Sequence, residues 1–161
     1  TERTFQLITQ VAGRAGRMLP DSKVILQTYD PENYVLQAAK KYDYNKFYET
    51  EILTRQMLSY PPAAEMVRIL FRGENNSEVL QTAENYAQAT ITTHRIMGLT
   101  QEIKILGPVI CAHEHLYGKF RYQIIIKGIN PSFWQFINNL SLIPNRGKVH
   151  ITYDVDPIEM M

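Results

Sequence analysis

A chain of 161 residues with 45% hydrophobic and 20% charged positions has the make-up of one folded domain with a real core, which excludes a disordered or low-complexity protein. Its 17 basic and 16 acidic residues leave a net charge of +1, so no bulk positive field draws the chain to nucleic acid. The single cysteine, Cys111, excludes an internal disulfide framework and a multi-cysteine zinc site; with no signal peptide and no apolar run of roughly 18 residues, the chain is expected in a reducing cytoplasm and off the membrane.

Residues 2–15 place Phe5, Ile8, Val11, Ala12 and Ala15 on one face at helical spacing, and Gly13, Gly16 and Met18-Leu19-Pro20 are expected to end that helix. The pattern is already under way at Thr1, so the natural protein is expected to extend further toward the N-terminus. Val24 to Tyr29 is a short apolar, β-branched run that predicts a strand buried on both faces. Asp30-Pro31 predicts a capped helix over 31–41. A further helix is predicted over 44–58 with Phe47, Ile52 and Leu53 in its apolar set, stopped by Tyr60-Pro61-Pro62.

After the prolines the pattern changes. Met66 to Arg72 reads as a strand, Ser77 to Ile96 as an amphipathic helix, and Ile103 to Cys111 and Phe120 to Lys127 as two strands joined around Tyr117-Gly118. Asn130-Pro131 opens another helix carrying Phe133, Trp134, Phe136, Ile137 and Leu140 inward, and Val149 to Val155 closes the chain with alternation. The fold class is therefore α/β (α+β), and the βαββαβ order is that of a ferredoxin-like domain with two helices on one face of an antiparallel sheet. The expected domains are residues 1–30, a helical connector over 31–62, and 63–161.

Most of the chemistry lies in Gln10-Val11-Ala12-Gly13-Arg14-Ala15-Gly16-Arg17. Arg14 and Arg17 are three residues apart and project to one side of a helical turn, while Gly13 and Gly16 clear bulk from their flanks. A permanently charged, planar guanidinium can spread paired hydrogen bonds over the oxygens of a transferring phosphoryl group, and such an arginine finger supplies on the order of 10³ or more in rate in nucleotide hydrolases. The bland alternative is a small-residue helix end with solvated arginines.

In this form the string resembles motif VI of the superfamily 2 helicases. The resemblance implies that residues 1–30 are the tail of a RecA-like lobe, that Arg14 and Arg17 face the ATP phosphates of a partner lobe as catalytic residues, and that Gln10, Gly13 and Gly16 belong to the nucleotide-binding cluster. Further stretches narrow the resemblance to the bacterial replication-restart (primosomal) helicase family: Asp43-Tyr44, Phe47-Tyr48-Glu49, Glu51, Arg55, Tyr60-Pro61-Pro62, Leu106-Gly107-Pro108, Gly118 to Gln123 and Asp154-Val155-Asp156-Pro157. Membership would imply an ATP-dependent 3′→5′ DNA helicase that restarts stalled forks and assembles the primosome. Its partners would be branched and single-stranded DNA, the single-stranded-DNA-binding protein and other primosome proteins, its setting the nucleoid. ATP and Mg²⁺ would serve the parent protein, and zinc would sit in the parent outside these residues. Neither a Gly-x-x-x-x-Gly-Lys-Ser/Thr loop nor an Asp-Glu-x-His motif is present, so the chain alone is expected to be inactive as an ATPase. The rival reading is a non-enzymatic ferredoxin-like module that binds RNA or a protein.

Other candidates divide between function and structure. Lys119, Phe120, Arg121 and Tyr122 interleave cations with aromatics; Lys119, Arg121 and Tyr122 are candidate single-strand DNA contacts, and one core face opposite one solvated face is the alternative. His113-Glu114-His115 lacks a third ligand nearby, so no metal site is expected. Asp154 and Asp156 are expected to pair or be solvated. Glu51 precedes Arg55 by four residues, the favourable order for a helical ion pair. Trp134 is expected at the core and its margin; exposed, it would form a pocket for a partner's aromatic or hydrophobic tail, but Phe133-Trp134-Gln135 supplies no basic group beside it, so no such site is assigned. Residues 1–29, without the sheet they should pack on, are expected to be mobile or rearranged.

Overall fold

The computed structural model describes residues 1–18, 23–99, 103–129, 131–145 and 147–157, with the backbone only at 16–18. The chain divides into two compact units, Thr1–Thr54 and Arg55–Met161.

In the first unit, helix α1 (Glu2–Met18) lies against α2 (Tyr34–Lys40), and α3 (Tyr44–Leu58) follows, its last turn from Arg55 belonging to the second unit. Their small core is Phe5, Val35, Ala38, Ala39 and Phe47, with the Phe5 and Phe47 rings stacked at 4.5 Å. The bounds of α3 are those expected from sequence, but Leu53 is exposed. Helix α1 runs through both glycines to Met18 instead of ending at them, and Val11 is exposed, so its apolar stripe is buried only at Phe5 with Ile8 alongside. Helix α2 starts later than expected because Asp30 to Asn33 close a turn (Asn33 N to Asp30 O, 3.3 Å), and the cap falls to Asn33, whose side-chain oxygen accepts from Val35 N at 3.1 Å. The expected strand over 24–29 does not form: Ile25 and Tyr29 are exposed, and among the described residues no strand pairs with the segment. A doubly buried strand exists only between neighbours that satisfy its backbone, and all four strands of the sheet belong to the other unit.

The second unit carries β1 (Glu65–Gly73), α4 (Asn76–Ile96), β2 (Ile103–Leu116), β3 (Lys119–Gly128), α5 (Phe133–Ser141) and β4 (His150–Val155). The strands form one sheet in the order β2-β3-β1-β4 with every neighbouring pair antiparallel. Val67, Ile69 and Phe71 of β1 and Ile124 and Ile126 of β3 pack against Val79, Ala83 and Tyr86 of α4 and Phe133, Phe136 and Leu140 of α5, so both helices cover one face. The cap expected at Asn130 lies outside the described residues; Ser132 holds the N-cap position of α5. Trp134 stands at the margin and not in the core, its indole N–H donating to Glu65 Oε1 at 3.1 Å. Period-two alternation turns Arg68, Leu70 and Arg72 of β1 and Lys119, Arg121, Gln123 and Lys127 of β3 to the opposite face.

Candidate functional site

Gln10 and Arg14 are exposed on α1, one helical turn apart, and a Cβ placed on Gly13 would meet nothing within 4 Å. Among the described residues, nothing crowds the helix surface at Gly13 beside Arg14. Gly16 and Arg17 continue the same helix, and the Arg17 side chain lies outside the described residues.

The face of the sheet opposite α4 and α5 holds the second set of candidates. Strand register fixes which residues stand abreast on β4, β1 and β3. One row is Asp154, Arg68 and Ile125; the next is Thr152, Leu70 and Gln123; the last, at the sheet end, is His150, Arg72 and Arg121. The first row is neutralised internally, because Arg68 Nη2 meets Asp154 Oδ2 at 2.7 Å. The last has no acid. Arg72 reaches only the Thr152 hydroxyl, at 3.1 Å, and the Nε atoms of Arg72 and Arg121 are buried without a hydrogen-bond partner among the described residues. Arg121 is 8% exposed. Gln123 Oε1, one row inward, is likewise buried without a partner among those residues.

Beyond Arg72 the row opens into a groove of about 340 Å³ where Lys119, Lys148 and His150 converge, with Glu74 and Glu78 on its α4 side. Cys111 is buried on β2; burial pushes its thiol above the usual range, while the positive charges of Arg121 and Arg68 pull the other way, so it stays neutral and a poor nucleophile.

Lys119 and Arg121 thus stand on the face that sequence alternation assigned to them. Tyr122 is turned away from both: it is 9% exposed, belongs to the helix-covered core, and its hydroxyl donates to Asn76 Oδ1 at 3.0 Å. Its ring offers no stacking surface beside the cations. Arg72, Lys148 and His150 carry no individual signal in the sequence; alternation along Met66 to Arg72 would have put Arg68 and Arg72 on one face, but only strand pairing sets Arg72 opposite Arg121. Asp154 and Asp156 are structural: Asp154 neutralises Arg68, and Asp156 Oδ1 accepts from Met66 N at 3.1 Å. Glu51 accepts from Thr1 Oγ1 at 2.9 Å and from the Tyr34 hydroxyl, while Arg55 donates to Pro61 O at 2.9 Å. His113, Glu114 and His115 are exposed, and no group of three or more metal-binding side chains converges among the described residues. Among those residues, no helix is long and apolar enough to cross a membrane.

Comparison with known proteins places these features. Residues 56–158 match the family described as the primosomal protein N C-terminal domain. The replication restart protein PriA of Bacillus subtilis is 37% identical over 165 residues, covering 99% of this chain and 20% of the relative. That of Synechocystis is 35% identical over 161 residues (99% and 18%), and that of Chlamydia pneumoniae 31% over 165 residues (98% and 21%). The chain spans about a fifth of the length of these curated relatives, and the match runs through Gln10 to Arg17 as well as the sheet domain.

Proposed function

The chain belongs to the primosomal protein N C-terminal domain family, and on that premise we propose that it is the C-terminal part of a cytoplasmic, ATP-dependent 3′→5′ DNA helicase that restarts stalled replication forks. In this reading residues 1–30 are the tail of a RecA-like lobe, and the second unit is a ferredoxin-like domain that binds DNA and primosome partners, the single-stranded-DNA-binding protein among them. The observation that carries the reading is the coverage of the relatives, which extends over both the Gly-Arg string and the sheet domain.

Arg14 is exposed on α1, next to a glycine around which nothing crowds among the described residues. That setting suits a group reaching across a cleft to ATP, whose phosphates and Mg²⁺ would be held by residues elsewhere in the parent protein. Arg14 and Arg17 would then stabilise charge on the transferring phosphoryl group, with Gln10 beside them. Lys119 and Arg121, on the face opposite α4 and α5, supply the DNA contact. The test is made in the whole replication-restart protein: Arg14→Ala and Arg17→Ala should each lower DNA-stimulated ATPase turnover on the order of 10³-fold while DNA affinity and thermal stability stay at wild-type values. Turnover within about twofold of wild type in both variants would remove the arginine-finger role.

A further inference from the structure

Resting on the DNA-binding reading above, we propose that the cross-strand row His150, Arg72 and Arg121, opening at Lys119 and Lys148, is a binding site for the phosphates of a nucleic-acid backbone, and that it holds them without stacking on the bases.

The arrangement itself carries the argument. Like charges directly opposite on neighbouring strands destabilise a sheet, and a buried guanidinium without an acceptor is costly. Arg72 and Arg121 stand directly opposite each other, and each keeps a buried Nε without an acceptor among the described residues, although Arg72 Nη2 donates to the Thr152 hydroxyl. Two rows away on the same face the arginine is met by an opposite charge instead: Asp154 stands opposite Arg68 and closes on its Nη2 at 2.7 Å. At the sheet end the corresponding β4 position is His150, so the charge is left for a ligand to neutralise.

Three strands spaced roughly 4.8 Å apart spread the row over about 10 Å, wider than the two oxygens of one carboxylate and suited to an extended polyanion. Lys119 and Lys148 carry the cations on into the adjoining groove at the N-terminal end of the 21-residue helix α4, where Glu74 and Glu78 line the α4 side and leave the lysine side for the phosphates. Phe120 and Tyr122, the aromatics interleaved with these cations, are packed on the other face. What remains is a phosphate-only surface, so binding should depend steeply on salt and little on base identity.

Fluorescence anisotropy on the 161-residue chain tests this with two labelled probes, a 20-nucleotide oligo-dT and a 20-mer of abasic sites. Wild type should bind both within about threefold of each other. Arg72→Gln and Lys119→Ala/Lys148→Ala should each weaken both by roughly tenfold at low salt and flatten the slope of log K against log salt by about one per lost contact, with Lys104→Ala on β2 as the unaffected control. Arg121→Gln should do the same; Arg72→Gln, at a half-buried position, keeps the test sound if Arg121→Gln does not fold.

Wild-type binding with unchanged affinity in Arg72→Gln and Lys119→Ala/Lys148→Ala would overturn the row and leave the DNA-binding reading standing. Binding of oligo-dT but not of the abasic probe would overturn phosphate-only recognition. Displacement of the abasic probe by an Asp-rich decapeptide at equal charge concentration would make the partner an acidic protein segment and overturn the nucleic-acid assignment. Binding of neither probe by wild type would overturn both the row and the reading beneath it.

Discussion

Arg68 and Asp154 stand opposite each other on β1 and β4, with 2.7 Å between guanidinium and carboxylate. The arginine side chain is 10% exposed and the aspartate 40%, so the pair is sheltered on one side and wet on the other. Removing the acid leaves a largely buried cation facing a neutral group. Asp154→Asn should therefore cost about 1–2 kcal/mol of unfolding free energy in urea, less than the loss expected for a fully buried pair, and Asp154→Glu should recover part of it. A midpoint unchanged in Asp154→Asn would show that solvent screens the pair completely.

Gly107 interrupts the pairing of β2 with β3, where the register slips between Leu106 and Val109. Its φ is +107°, and a Cβ there would come within 2.7 Å of the Gln123 carbonyl oxygen, a backbone atom that cannot swing away. Gly107→Ala should destabilise the sheet domain by about 2 kcal/mol or more through backbone strain and displacement of β3. Chemical-shift changes should centre on Gln123 and Ile124. Wild-type stability in this variant would mean that the edge strand shifts freely, and would deny β2 a fixed register.

Legibility in the sequence follows the range of the forces involved. The bounds of α3 and the six-element order after the prolines could be read because apolar periodicity and turn residues act locally. The strand expected at 24–29 is absent from this chain for the opposite reason: β-branched composition yields a strand only where neighbours exist to pair with it. The late start of α2 turned on whether Asp30 or Asn33 captured the free N–H groups, a contest between two good caps three residues apart. Alternation correctly separated Lys119 and Arg121 from Phe120 and Tyr122. That Arg72 and His150 join Arg121 depends on long-range register, which no local pattern encodes.

Tyr86 and Tyr153 share a hydrogen bond beneath α5, and the Tyr86 hydroxyl also reaches the Leu140 carbonyl. Burial pushes both phenols above their ordinary value of 10.0, Tyr86 the more strongly because the neighbouring Tyr153 hydroxyl adds to it, and burial likewise raises the Cys111 thiol above 9.0. Each group keeps its proton longer when folded than when unfolded. Below about pH 8 both states hold these protons and the groups add no pH dependence; above it the unfolded chain releases protons first, the thiol before the phenols, so stability falls as pH rises toward 11 and beyond. Urea unfolding at intervals from pH 7 to 11 should show a plateau and then a decline, beginning with the thiol and steepening with the phenols. Cys111→Ala should remove the earliest part of the decline, and an unchanged profile in that variant would assign the onset to other groups.

The two ends of the first unit should differ in protection from hydrogen exchange. Phe5 anchors α1 by stacking on Phe47, whereas residues 23–30 are exposed throughout and belong to no strand. Local opening energies range from about zero for unpaired backbone to the global value for central strands. Amides of Val24 to Tyr29 should therefore exchange almost as fast as in an unstructured peptide, those around Phe5 to Thr9 should show intermediate protection, and Val67 to Phe71 of the central strand β1 should be the slowest. If a larger fragment supplied the sheet of the RecA-like lobe proposed above, the same Val24 to Tyr29 amides should become protected, because that run has the composition of a doubly buried strand. Protection of Val24 to Tyr29 equal to that of β1 in the 161-residue chain would contradict the exposed conformation; continued rapid exchange in the larger fragment would contradict its assignment as a strand of the lobe.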